Sequence, residues 1–201
     1  MAQIKITECP RDAMQGIKKW IHTEDKIGYL QNLLKVGFDT LDCGSFVSSK
    51  FIPQLKDTGE VVRSLDLSST KTKLLVIIAN LRGAEIACNY DQVNYLGFPF
   101  SISENFQIRN VNKTIKESIS ELHLIADKVN KTNKELIVYL SMGFGNPYGD
   151  PWSSSIVSYW CEKLSYLGVK KISLSDTVGT AKNEDISSIF NTLIPEFSDI
   201  S

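Results

Sequence analysis

Apolar residues along the chain follow two alternating rhythms. Short β-rich runs predict six strands: Ile4 to Thr7, Phe38 to Leu41, Leu74 to Ala79, about Tyr95 to Ser101, Leu136 to Leu140, and Val169 to Leu174. The third run is almost wholly apolar, as expected of a strand buried on both faces. Between the runs the spacing turns helical. Thr23 reads as an N-cap, Ile27, Leu30, Leu33 and Leu34 share one helical face, and Gly37 ends that helix. A helix over roughly Ile52 to Leu65 follows strand two, weakened by Gly59, and a short one over Arg82 to Cys88 follows strand three. The strongest helical stripe is Ile115, Ile119, Leu122, Ile125, Ala126 and Val129. Ile156, Val157, Trp160 and Leu164 predict the next helix, closed by Gly168. Ile186, Ile189, Phe190 and Leu193 predict the last, with Pro195 as its end.

Repeated βα units point to an α/β fold with a parallel sheet and right-handed crossovers. An open doubly wound sheet and a barrel both fit. The first strand runs into Cys9-Pro10-Arg11-Asp12, with no GxGxxG and no GK[ST] phosphate loop. That favours the (β/α)8 TIM-barrel type, read as a single domain over residues 1–201. A full barrel takes about 250 residues. Only about six units are present, so the reading carries the expectation that units seven and eight are absent. The edges of strands one and six would then be uncovered. The chain is expected to hide them as a homo-oligomer or to be poorly soluble.

Composition narrows the partners. Lys+Arg is 22 and Asp+Glu is 23, a net charge of -1. This argues against nucleic-acid binding by bulk charge and against an anionic-membrane clamp. The longest strongly apolar run, Leu74 to Ala79, is too short to span a bilayer. Cys9, Cys43, Cys88 and Cys161 form no CxxC pair, and free thiols in a reducing compartment are the expectation. The location read from this is cytoplasmic. His22 and His123 read as ordinary helix-side residues.

In barrels and open α/β sheets the chemistry collects at the C-terminal ends of strands. There the sequence offers Arg11, Asp12 and Gln15; Asp42 and Ser45; Asn80 and Arg82; Ser103 and Glu104; Tyr139 and Ser141; and Ser173, Asp176 and Thr177. Polar loops after strands are ordinary in themselves. Three carboxylates, Asp12, Asp42 and Asp176, expected to converge with one arginine are less so. Carboxylate oxygens suit Mg²⁺ or Mn²⁺, and the arginine suits a developing oxyanion. The stretch Gly143 to Gly149 reads as a shaped loop, since it holds Pro147 and Tyr148 and lacks a lysine.

Four segments carry a family resemblance. Cys9-Pro10-Arg11-Asp12-Ala13-Met14-Gln15 is like PRDGLQ, and DCGSFVSSKFIPQLKDTGEV from Asp42 is similar to SFVSPKxxPQ. LSMGFGNPYGD from Leu140 and SLSDTVG from Ser173, like SLGDTxG, complete the set. With them the chain resembles the hydroxymethylglutaryl-CoA lyases, members of the metal-dependent barrel family often called DRE-TIM metallolyases. The resemblance implies an acyl-CoA thioester substrate and a divalent cation, Mg²⁺ or Mn²⁺. It implies retro-Claisen cleavage of 3-hydroxy-3-methylglutaryl-CoA to acetoacetate and acetyl-CoA, as in leucine breakdown. Asp12 would ligate the cation. Arg11, Asp42 and Asp176 would form the catalytic set, Arg11 stabilising the thioester enolate. Gln15, Ser45, Tyr139, Ser173 and Thr177 would line the acyl pocket. Asp42 stands where the family usually has glutamate, withdrawing the carboxylate by ~1.5 Å, one C–C bond. Ala13 replaces a glycine, and Met142 and Asn146 stand where some relatives have cysteines. The family's His-x-His metal pair and its cysteine loop belong to units beyond the sixth, so impaired activity is expected of this chain. Two other readings stand beside the lyase: a related acyl-CoA or keto-acid aldolase or condensing enzyme on the same barrel, and a non-catalytic barrel fragment.

Overall fold

A computed structural model describes residues 4–201. The chain divides into two compact units. The first runs to Gly97 and takes in Lys131–Lys134; the second comprises Phe98–Asn130 and Glu135–Ser201.

The first unit contains β1 (Thr7–Glu8), α1 (Pro10–Gln15), α2 (Thr23–Leu34), β2 (Thr40–Ser45), the 3-10 turn η1 (Pro53–Leu55), α3 (Thr58–Ser64), β3 (Lys73–Ile77), α4 (Leu81–Cys88) and β4 (Val93–Ser101) as far as Gly97. Its strands are parallel and lie in chain order, β1-β2-β3-β4. Every residue of β2 is buried, and Leu74, Leu75 and Val76 fill β3, as the apolar run required.

The second unit takes the rest of β4, then α5 (Glu104–Val111), α6 (Ile115–Val129), β5 (Glu135–Ser141), α7 (Ser154–Tyr166), β6 (Lys171–Leu174) and α8 (Asn183–Glu196). Its strand order is β4-β5-β6, with β5 and β6 parallel. Leu122, Ile125, Ala126 and Val129 bury the α6 stripe, and Thr114 with Glu117 closes a capping box at its start.

Several boundaries differ from the sequence reading, each for a local reason. The first strand is Thr7–Glu8 rather than Ile4 to Thr7, because only those residues pair in register with Thr40 and Leu41. Thr23 is the first helical residue and His22 the N-cap; the Thr23 hydroxyl instead donates to Asp57 Oδ2 at 2.9 Å. The expected helix over Ile52 to Leu65 is two pieces, η1 and α3, broken at Lys56 and Asp57. Pro195 lies inside the last turn of α8, where the helix continues one residue further. Two short helices escaped the periodicity altogether. Pro10 starts α1 at the position where a missing N–H costs nothing. The Ser103 hydroxyl caps α5 by accepting from Phe106 N at 3.2 Å, and Asn112 closes it in the left-handed conformation.

Candidate active site

In the first unit, Arg11 and Gln15 lie four residues apart on α1 and so share a face. The guanidinium is held from three directions. Nη2 donates to Asp42 Oδ2 at 2.7 Å, and Nε donates to the same carboxylate at 3.1 and 3.2 Å. Nη1 donates to Asp12 Oδ1 at 2.9 Å and to Gln15 Oε1 at 3.0 Å. Asp42 is wholly buried, whereas the Asp12 side chain is 72% exposed. Burial pushes the Asp42 carboxyl above its usual range, opposed by the Arg11 hydrogen bonds and charge. The sequence reading put Asp42 among groups acting on substrate. In the structure both its oxygens accept from the Arg11 guanidinium.

The strand that carries Asp42 is shaped for this. The β2–β3 register shifts between Asp42 and Gly44, a local irregularity of the kind that re-aims side chains. Gly44 lets α3 approach: a Cβ there would meet Thr58 Cγ2 at 2.4 Å. Thr58 uses that closeness. Its hydroxyl accepts from Ser45 N at 3.0 Å and donates to Leu55 O at 2.8 Å. The Ser45 hydroxyl in turn accepts from Val47 N at 3.2 Å, turning the SFVSS loop. A cavity of about 360 Å³ opens beside Ser45, lined also by Phe46, Thr58, Asn80 and Arg82.

In the second unit, Tyr139 and Ser173 are register partners on β5 and β6. The loops that follow are joined. Ser175 N donates to Leu140 O at 3.1 Å, Gly143 N donates to Ser175 O at 3.2 Å, and Met142 N donates to Thr177 Oγ1 at 2.8 Å. Met142 occupies the left-handed region at φ 61. Asp176 accepts Thr180 N and Ala181 N, one on each carboxylate oxygen, both at 3.0 Å. The loop after β5 is shaped by side chains, as its composition suggested. Asn146 Oδ1 accepts from Tyr148 N and Asp150 N, and Trp152 Nε1 donates to Gly143 O at 3.0 Å. Asp150 accepts from Ser103 Oγ at 2.5 Å, Asn105 Nδ2 at 2.6 Å and Asn105 N at 3.0 Å. These bonds, that to Ser103 first, hold its carboxyl below the usual range.

The structure thus brings Arg11, Asp12, Gln15 and Asp42 into one hydrogen-bonded group, with Ser45 at the end of the same strand as Asp42. Tyr139, Ser173, Asp176 and Thr177 belong to the second unit with partners of their own. Sequence reasoning missed Gln54, Lys26, Asp57, Thr58 and Asp150. Their partners lie far away in sequence or are backbone atoms, so no spacing marks them.

Among the described residues, no group of three or more His, Cys, Asp and Glu side chains stands together as a metal would need. Asp12, exposed and holding Arg11 through one oxygen, supplies a single donor. The described residues therefore do not by themselves make up a cation site.

The family model for HMGL-like matches residues 3–200. The hydroxymethylglutaryl-CoA lyase of Bacillus subtilis (strain 168) is 32% identical over 188 residues, covering 94% of this chain and 62% of its own length. The crystal structure of a Bacillus subtilis HMG-CoA lyase superposes with a TM-score of 0.90 at 31% identity, over 97% of this chain and 65% of that one. An HMG-CoA lyase from Acinetobacter baumannii, solved with coenzyme A and 3-methylmalate, gives a TM-score of 0.89 at 28% identity, over 96% and 63%. The chain spans less than two thirds of the length of these relatives. The superpositions place its six βα units in the TIM-barrel class.

Proposed function

Because the chain belongs to the HMGL-like family, we propose that it serves a carbon–carbon lyase that cleaves 3-hydroxy-3-methylglutaryl-CoA to acetoacetate and acetyl-CoA, a step of leucine degradation. The observation that carries this is the Arg11 guanidinium, oriented by a buried carboxylate at 2.7 Å and steadied by Asp12 and Gln15.

The chemistry asks for that arrangement. The tertiary hydroxyl loses its proton, and the bond between its carbon and the CH₂ next to the thioester breaks. The alkoxide becomes a ketone, and the bonding pair passes into a thioester enolate, which takes up a proton to give acetyl-CoA. Negative charge therefore develops on the thioester oxygen. A cation already fixed in place stabilises it without reorganisation during the reaction. Asp42 supplies the fixing, because a planar guanidinium gripped along one edge cannot turn. Asp176 is assigned a hydrogen bond near the substrate hydroxyl. Gln15, Ser45, Tyr139, Ser173 and Thr177 are assigned to the acyl group.

A divalent cation, Mg²⁺ or Mn²⁺, belongs to the proposal as the cofactor that the resemblance implies, with Asp12 as the one oxygen donor named for it. The location proposed is cytoplasmic. Four free cysteines suit a reducing compartment, and no helix among the described residues is long and apolar enough to cross a membrane.

The test is release of acetoacetate from 3-hydroxy-3-methylglutaryl-CoA by the protein with Mg²⁺ or Mn²⁺, alongside a panel of other acyl-CoA thioesters. Arg11→Lys, which keeps the charge and loses the fork, should lower kcat by about 10²–10³-fold, the scale of one lost oxyanion donor. Cleavage of another thioester in place of this one would overturn the substrate. Full activity in Arg11→Lys would overturn the role of the guanidinium.

A further inference from the structure

We propose that Gln54, which lies outside the Arg11 group, is a positioning residue that sets Arg11 by anchoring the far end of α1. The inference rests on Arg11 being the group that meets the thioester enolate.

The helix that carries Arg11 cannot hold its own orientation. It is six residues long, far below the length at which a helix is stable alone. Its N-cap Cys9 makes no side-chain capping hydrogen bond, and the strand before it is two residues long. Burial of Pro10 and Met14 seats its body, and its far end is set by the connector between it and α2. One side chain holds that connector at three backbone atoms. Gln54 Nε2 donates to Ile17 O and to Lys19 O, both at 2.8 Å, and Gln54 Oε1 accepts from Ile21 N at 3.1 Å. A primary amide thereby uses both N–H groups and its oxygen on alternate residues of one strand of backbone. The first anchored carbonyl lies two residues beyond Gln15, whose Oε1 takes Arg11 Nη1.

Gln54 is itself immobilised. It is 5% exposed, and its backbone oxygen accepts from Lys26 Nζ at 2.5 Å. Lys26, 2% exposed, is locked by Asp57 at 2.8 and 3.0 Å and lies 3.9 Å from the centroid of Trp20, a residue of the connector. Two independent contacts thus converge on residues 17–21: the amide on three backbone atoms, and the buried ammonium over the Trp20 ring. A network this complete is more than a surface turn requires. Its mechanical output is the angle at which α1 presents Arg11 to Asp42.

The readout is the Arg11 Nε–H, which faces Asp42 and does not depend on catalysis. The chain has four arginines, so the ¹⁵Nε–H region of an NMR spectrum holds few signals, and the signal lost in Arg11→Lys identifies Arg11. In Gln54→Ala the Arg11 Nε–H should exchange with water at least about tenfold faster. In the same variant kcat should fall toward 10²-fold with KM little changed, the scale of a small misplacement at a reacting group. Gln54→Glu carries the test if the alanine variant does not fold, because it keeps the acceptor for Ile21 and loses both donations. Leu96→Ala, a buried truncation on β4, serves as the control for general loss of stability. Unchanged Arg11 exchange in a folded Gln54 variant overturns the proposal, and so does equal acceleration in Leu96→Ala. An Arg11 signal that responds in a protein releasing no acetoacetate supports the positioning and refutes the lyase reading. An active parent with an indifferent Arg11 signal refutes the positioning alone.

Discussion

Gly44→Ala probes the contact that brings β2 against α3. The added Cβ would sit 2.4 Å from Thr58 Cγ2 and 3.0 Å from Thr58 Oγ1. Gly44 does not need a positive φ, so alanine suits the backbone and should even gain about 0.4–1 kcal/mol from a stiffer unfolded chain. Against this stands overpacking, typically about 1–3 kcal/mol. A 2.4 Å approach falls at the upper end, so the net loss should be about 2 kcal/mol. The threonine cannot simply rotate away, because its hydroxyl holds Ser45 N and Leu55 O. Thr58→Ser removes the offending methyl and keeps that hydroxyl. Alone it should cost about 1 kcal/mol, as for one buried methyl. The double variant should therefore be no less stable than Gly44→Ala alone, with a coupling of about -2 kcal/mol. Urea unfolding followed by circular dichroism measures this as midpoint shifts at constant slope. Additive losses, with the double variant near 3 kcal/mol down, would refute the reasoning: the strain would then not lie between these two side chains.

Two further outcomes follow from charges. Lys26→Met leaves the Asp57 carboxylate uncompensated and largely buried, which should cost about 3–5 kcal/mol, whereas Lys26→Met with Asp57→Leu should recover most of the loss; a double variant as unstable as the single one counts against the pair. The Asp150 carboxyl is held below its ordinary value, so the stability its contacts supply is fully present above that value and is lost only as pH falls beneath it. Trp152 fluorescence, reporting the Gly143–Pro151 loop, should therefore be flat from neutral pH down to about pH 4 and change below it; in Asp150→Asn that acid transition should disappear.

The parts of this fold that could be read in the sequence are those where burial alone decides the residue. The Leu74 to Ala79 run is apolar because β3 is covered on both faces, and the α6 stripe is regular because one face packs inward. The helices α1 and α5 went unread because tertiary contacts, and for α5 the Ser103 cap, hold them, not an apolar stripe. PRDAMQ buries only Pro10 and Met14, and ENFQIRNV buries only Gln107. At the site, Arg11, Asp12, Gln15 and Asp42 were all nominated from strand ends. That Asp42 grips Arg11 from 31 residues away was not legible, because a carboxylate facing a guanidinium and one facing a substrate have the same letter. Gln54 stood in the Pro-Gln of the SFVSPKxxPQ-like segment, but no role was legible for it. Its partners are backbone atoms, which carry no sequence signature.

The cluster around Trp20 has an optical consequence. Two ammonium groups lie near the face of this indole, Lys26 at 3.9 Å and Lys56 at 4.6 Å from its centroid. Indole emission responds to charge beside the ring, so the fold has placed a chromophore where its colour tracks how firmly the α1–α2 connector is seated. The tether that aims the arginine carries its own gauge.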